Sequence, residues 1–342
     1  MTFNLLITSA GGYWAKNLFS LIKKKTIYKS LRVHAVNKKK IKNIKKYLDS
    51  FYIVPNPKNK NYIKKILNIV KKESINLIIP GSDEEAEALA KEKKKIKSLG
   101  SDLACVNYKD LKCFKDKLSV YKKLDKFKIR KAIWKKANNF KQLYKIISEF
   151  LKKDLEIVIK PNFSRGGRDV TVIRKKLTKK VSYNFGREVH VSINHFLRNE
   201  YKKYKKRFPV IIMERLYEPS YDVDLLSWKG KIIKYVSRRR IGSQGINGNI
   251  IQKNNKVFFN YTKKIAKIFN LSWLYDCDIM LDRFSKPVLI ELNPRISGSL
   301  YASLAANINL IDDLISICNN NFKFINKSRI NKKVIIKQKK LN

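Results

Sequence analysis

Short apolar runs alternate with amphipathic, lysine-rich stretches over the first hundred residues. Residues 3–7 (FNLLI), 33–36, 51–54 and 77–80 each have the length and apolar continuity of a strand, and helical periodicity fills the intervals. That alternation predicts an open parallel sheet covered by helices, with the loops after the strands along one edge, where ligands of such sheets bind. Thr8-Ser9-Ala10-Gly11-Gly12 is the first such loop. Tyr13-Trp14-Ala15-Lys16 follows, so the full G-x-G-x-x-G spacing is missing, and the loop reads either as a plain strand-to-helix turn or as a phosphate cradle. Pro80-Gly81-Ser82-Asp83-Glu84-Glu85 ends the fourth run and opens a helix through Ala90. Ser82 or Asp83 is its N-cap, with acidic residues in the first turn, so capping alone accounts for the segment.

Beyond residue 108 the pattern changes. Leu118, Tyr121, Leu124 and Phe127 recur at helical spacing, and residues 155–160 form a strand ending in Lys160-Pro161. Gly166-Gly167 then marks a loop before a second strand at 170–173, which makes a hairpin with a small, glycine-bearing tip. Residues 187–207 read as a basic helix and 210–214 as a strand. Strands dominate from there to Pro294, with one helix near 260–269, and the segment beyond 326 is a final strand and a basic tail.

Charge adds one feature: 77 Lys+Arg against 27 Asp+Glu give a net +50, a field that attracts anions. The lysines run through the whole chain together with Ile and Asn, which describes a solvated surface and not a binding face. There is no RNP-like aromatic motif, zinc-finger spacing or repeated basic module, so no specific nucleic acid is expected. The four cysteines form no C-x-x-C pair and have no His at ligand spacing, which suits reduced thiols in a cytoplasmic protein. No apolar run approaches the ~18 residues of a membrane helix, and the N-terminus lacks the basic start of a signal peptide.

Three constellations carry chemistry. Residues 275–281 and 288–293 are strands joined by a turn through Asp282-Arg283-Phe284-Ser285-Lys286-Pro287. A turn symmetric about Phe284 and Ser285 sets Asp278 opposite Glu291 and Asp276 opposite Asn293. Facing carboxylates repel, and a divalent cation such as Mg²⁺, which prefers hard oxygen ligands, would remove that penalty. Second, Lys160-Pro161-Asn162-Phe163-Ser164-Arg165-Gly166-Gly167-Arg168 offers a point charge and a glycine loop to phosphate, without the helix of a Walker loop. Third, Glu214-Arg215-Leu216-Tyr217, ahead of Tyr221-Asp222-Val223-Asp224, could present a carboxylate and backbone amides to an adenine edge.

In this order the three resemble the ATP-grasp superfamily, most closely its carbamoyl-phosphate-synthase-like ligases. The resemblance implies mixed α/β and α+β architecture: an open parallel α/β domain over 1–107, an ATP-grasp small lobe and nucleotide lid over 108–208, a large lobe with the metal site over 209–326, and a basic tail over 327–342. By the family motifs, Lys117 of the Asp116-Lys117 pair and Lys160 contact nucleotide phosphate, and Lys160 also serves catalysis. Ser164, Gly166 and Gly167 belong to the lid. Glu214 and Leu216 hold adenine, and Asp278, Glu291 and Asn293 hold metal. Arg295, in the specific string Glu291-Leu292-Asn293-Pro294-Arg295, steadies the transferring phosphate, and Asp83 falls in a stretch like the family's P-T-S-D-E. The chain departs at Ser220, where the family carries a ribose-binding Glu that Asp222 would replace, and at Asp169, where the lid usually ends in Gly. Arg238-Arg239-Arg240 resembles a basic segment on the substrate side of relatives, and reads equally as a solvated strand.

The implied activity is ATP-dependent ligation of a carboxylate to an amine through an acyl phosphate, with ATP and Mg²⁺ (or Mn²⁺) as cofactors and homodimerisation as in many relatives. The alternatives are a carbamoyl-phosphate-synthase-like or carboxylase-like subunit that phosphorylates bicarbonate, and a non-catalytic nucleotide- or nucleic-acid-binding protein.

Overall fold

A computed structural model describes residues 2–12, 14–41, 43–164, 168–183, 188–241, 248–252, 256–325, 330 and 333–337. The N-terminal alternation folds as its periodicity predicts. The elements are β1 (Phe3–Ile7), α1 (Ala15–Lys25), β2 (Leu31–Asn37), β3 (Ser50–Ile53), α2 (Asn61–Lys72), β4 (Leu77–Ile79), α3 (Asp83–Lys91), α4 (Lys93–Ser98), β5 (Asp102–Leu103) and α5 (Tyr108–Lys115). The strands form one parallel sheet in the order β3-β2-β1-β4-β5. Leu5, Leu6 and Ile7 are fully buried, as befits a central strand covered on both faces. Ser82 proves to be the N-cap of α3, its hydroxyl accepting the Glu85 N–H.

The middle of the chain supplies α6 (Lys117–Lys126), β6 (Trp134–Ala137), α7 (Phe140–Lys152), β7 (Ile157–Pro161), β8 (Val170–Ile173), β9 (Val181–Tyr183), β10 (Glu188–Val191), α8 (Ile193–His195) and β11 (Val210–Glu214). Its sheet runs β6-β11-β7-β8-β10-β9, and β7 and β8 pair antiparallel as the hairpin reading requires. Ile147, Phe150, Ile157 and Ile212 lie in its core. The long basic helix expected across 187–207 is borne out only over residues 193–204, and its start is a strand. Val189 and Val191 alternate with polar residues and are buried, so this stretch starts as a strand; short helical turns follow as far as Tyr204. Two β-branched residues at period two outweigh the charge pattern that suggested a helix.

The last third adds β12 (Tyr217–Trp228), β13 (Lys231–Ile241), β14 (Gly248–Ile251), α9 (Lys256–Ile268), β15 (Trp273–Leu281), β16 (Pro287–Asn293), α10 (Leu300–Ala305), α11 (Leu310–Cys318) and β17 (Val334–Lys337), with strand order β16-β15-β12-β13-β14-β17. By packing, the chain divides into one unit of Met1–Lys112, Tyr221–Ile279 and Ile290–Asn342, and a second of Cys113–Ser220 and Met280–Leu289. In the first unit, Leu300, Leu304, Leu314 and Ile315 share a core with Leu5, Leu18 and Phe19.

The turn between β15 and β16 is centred one half-step from the expectation. Asp282 N–H donates to Lys286 O at 2.9 Å, and Ser285, at φ +56°, donates to Asp282 O at 2.9 Å. The turn therefore pivots on Phe284 alone, a three-residue loop with one left-handed residue, where the sequence count placed the centre between Phe284 and Ser285. Among the described residues no helix is long and apolar enough to cross a membrane.

Candidate functional site

In the first unit, strand alternation puts Asp222 and Asp224 on one face of β12 and Asp276 and Asp278 on one face of β15, its neighbour in the sheet. One carboxylate oxygen each from Asp222, Asp276 and Asp278 fall within 4.8 Å of one another. Such a group is stable only if positive charge offsets it, and β13 supplies part of that charge. Arg240 Nε donates to Asp222 Oδ1 at 2.9 Å, and its Nη2 reaches Asp278 Oδ1 at 2.6 Å. Arg295, just past β16, bonds Asp276 Oδ2 and lies 3.3 Å from Asp83 at the start of α3. Asp222 is further held by the Ser299 hydroxyl at 3.2 Å.

The charge states follow from burial against these partners. Burial pushes the Asp222 carboxyl up, but Arg240 and Arg238 overcome it and hold the group well below the usual carboxylate range. For Asp276 and Asp278 burial prevails: both are raised, with Arg295 and Arg240 respectively opposing. Glu291 is among the charges that raise Asp278, so its carboxylate belongs to the same electrostatic cluster. Two buried polar atoms here lack hydrogen-bond partners, Asp276 Oδ1 and Asn293 Nδ2. Carboxylate oxygens with one buried atom unused form a donor set that fits a hard divalent cation.

In the second unit, Asp116 caps α6 through Ser119 N–H at 3.2 Å, which directs Lys117 inward. Lys117 Nζ donates to the Ser164 carbonyl, and Asn162 Oδ1 accepts from Leu118 N–H at 2.9 Å, joining the end of β7 to the start of α6. Lys160, 5% exposed, donates to Tyr121 Oη at 3.0 Å and sits over that ring. The two candidate phosphate-binding lysines are thus both anchored where α6 meets β7. The Glu214 carboxylate accepts from Ile133 N–H at 2.8 Å, and Leu216 is buried. Gly166 and Gly167 of the lid lie outside the described residues.

Arg238 departs from expectation. It neither lines a substrate face nor meets solvent: it is fully buried on Asp224, with Ser297 and Ser303 hydroxyls at 2.9 and 3.0 Å. The reading by motif also left Asp276 out of the acidic cluster and gave Asp222 to ribose. The available signal was the i, i+2 repeat of Asp222/Asp224 and Asp276/Asp278, two acid pairs in a chain with few acids.

Residues 206–339 match the family described as ATP-grasp in the biosynthetic pathway with Ter operon, and residues 5–104 match the PylC-like N-terminal domain. No curated protein matches the chain. Among solved structures, N5-carboxyaminoimidazole synthetase from Staphylococcus aureus aligns with TM-score 0.65 at 12% identity, over 98% of this chain and 81% of that one. The biotin carboxylase domain of Hydrogenobacter thermophilus 2-oxoglutarate carboxylase, solved with MgADP and bicarbonate, gives 0.68 at 15%, covering 98% and 74%. The L-amino acid ligase of Bacillus licheniformis gives 0.62 at 12%, covering 94% and 76%. At these identities the likeness is one of fold.

Proposed function

We propose, from the premise that this chain is an ATP-grasp ligase behind a PylC-like N-terminal domain, that it joins a small carboxylate to an amine at the expense of ATP. The observation that carries the reading is the acidic cluster of β12 and β15, compensated by Arg240 and Arg295, inside the segment that matches the ATP-grasp family. Asp278, Glu291 and Asn293 would hold Mg²⁺ or Mn²⁺, backed by Asp276 and Asp222. When bound, the cation supplies charge neutralisation for the nucleotide's phosphate oxygens.

The chain's own residues do the rest. Phosphoryl transfer asks a protein mainly for positioning and charge. Lys117 and Lys160 offset phosphate charge, and Lys160 is held in place by its bond to Tyr121. The substrate carboxylate oxygen attacks the γ-phosphorus as the bond to ADP breaks. The amine nitrogen then attacks the acyl carbon, inorganic phosphate departs with the electron pair, and the nitrogen sheds a proton. Arg295, oriented by Asp276 and Asp83, steadies the acyl phosphate's negative charge. Glu214 and Leu216 border adenine.

A second reading has specific support, since two of the three structural neighbours described are carboxylation enzymes: the chain would phosphorylate bicarbonate. One assay separates the two. ADP release that requires a pooled carboxylate and an amine supports the ligase; release that requires only bicarbonate supports the second reading; release under neither condition overturns both.

A further inference from the structure

The glycine turn after β1 takes no part in the function proposed above, yet it borders a cleft of about 560 Å³ within the N-terminal sheet. That volume suits a small-molecule ligand. The cleft lies where the loops after β1, β2 and β4 meet, beyond the C-terminal ends of parallel strands and at β1, on either side of which the sheet is built outward. Among the described residues its walls include Ser9, Trp14, Gly81 and the three consecutive lysines Lys38, Lys39 and Lys40, and no acidic side chain. Glu85 lies behind the loop, engaged by the Thr8 hydroxyl at 2.6 Å and Ser9 N–H at 3.2 Å.

Two further features bear on what the cleft takes. Helix α1 opens onto it without a side-chain cap and with no acidic residue in its first turn; Ala15 N–H donates to Gly12 O at 3.0 Å, and no side-chain charge offsets the positive end of the helix dipole. The loops are packed in advance of any ligand: Asn37 Nδ2 donates to Lys39 O at 2.8 Å, Ala10 N–H to Val36 O at 3.1 Å, and a Cβ at Gly81 would meet Thr8 O at 2.2 Å. Glycine there lets the β4 loop close onto the β1 loop.

We propose that this cleft binds a phosphorylated small molecule, its phosphate held by Lys38–Lys40 and the amides of α1, its body lying along Trp14 and Ile41. Three cations and a helix terminus match a dianion better than a carboxylate. In the proposed ligase the occupant would be one of the two substrates; that assignment alone rests on the ligase reading, and the binding site does not.

The test uses the full chain, saturated with MgADP so that nucleotide phosphate sites are filled, with phenyl phosphate as probe by titration calorimetry near 0.15 M salt. Because the whole protein is basic, the variant K38Q/K39Q/K40Q is compared with K64Q/K65Q/K71Q, three exposed lysines on α2. The cleft triple should weaken binding by about tenfold or more while the α2 triple stays within about twofold, as expected for charge-assisted phosphate contacts against a screened general field. Benzoate should bind the wild type several-fold more weakly than phenyl phosphate. Equal losses in both triples, benzoate binding as well as phenyl phosphate, or no binding to wild type would each overturn the proposal. A chain that binds the probe at the cleft but releases no ADP with any substrate would overturn the ligase reading and leave the cleft assigned.

Discussion

Replacing Arg238 with Met tests whether the arginines of β13 have separate roles. Arg238 and Asp224 are both fully buried, whereas the side chain of Arg240 keeps 28% of its surface exposed. Asp224 accepts from the Arg238 guanidinium, from Ser297 Oγ at 3.0 Å and from Ser303 Oγ at 2.8 Å. Methionine keeps much of the volume but leaves a carboxylate in the interior with only two hydroxyl donors. Breaking a buried ion pair from one side costs about 3–5 kcal/mol. The low end applies, because both serine bonds survive and because Arg238 Nε has no partner to lose. Arg238→Met should therefore destabilise the chain by about 3 kcal/mol. Replacing both partners, D224L/R238M, removes the stranded charge and should recover most of that loss, a coupling of about 2 kcal/mol or more. Urea unfolding at neutral pH, followed by circular dichroism, measures both variants. If Arg238→Met costs under about 1 kcal/mol, the pair is not a dry interior bridge and the separation of roles fails. At a temperature where the variant is folded, MgATP affinity should fall less than in Arg240→Met, because Arg238 hydrogen-bonds Asp224 and reaches Asp222 and Asp276 only through its charge.

Three other outcomes are expected. Glu291→Gln should abolish ADP formation with little change in melting temperature without metal, and should lose the stabilisation MgATP gives the wild type; normal turnover would remove Glu291 from the metal set. Lys160→Ala should raise KM for ATP and lower kcat by about tenfold or more, the size of one charge-assisted contact to phosphate, and unchanged kinetics would reject its role. His34 is buried, which depresses its pKa below 6.5 although Glu73 and Asp49 pull it upward. The folded state then binds fewer protons than the unfolded chain, so stability should hold above 6.5 and fall as pH drops below it. Melting temperatures from pH 7 to about 5 should show a shallower decline in His34→Asn, and parallel declines would assign the pH dependence elsewhere.

The elements most legible in the sequence are those whose pattern is repeated locally. The β1, β2 and β4 runs, the Ser82 cap and the Lys160 strand announce themselves by apolar continuity or by one residue with one physical use, and the structure places each where its pattern implies. What escaped depends on pairing across the chain. The turn centre at Phe284 hinges on a left-handed Ser285, a conformation that no local preference of serine signals. The start of the helix expected across 187–207 gave way to β10 because Val189 and Val191 find a sheet to join, while residues 193–204 are helical. Arg238 and Arg240 differ by two positions and look alike in sequence, yet one is sealed on Asp224 and the other bridges Asp222 and Asp278.

That last contrast explains how a chain of net +50 can sustain an acidic site. Its positive charge is mostly solvated lysine, screened within about 10 Å at ordinary salt. The charges that matter to Asp222, Asp276 and Asp278 are the few arginines directed at them from neighbouring strands. Arginine suits that task because its planar fork can serve two carboxylates at once, as Arg240 does for Asp222 and Asp278. Lysine in its place would satisfy one and leave the other with less of the positive charge that opposes its burial. Arg240→Lys should therefore weaken Mg²⁺ binding, measured by calorimetry on the nucleotide-free chain, more than it weakens the fold, and equal metal affinity would show that Arg240 organises neither acid.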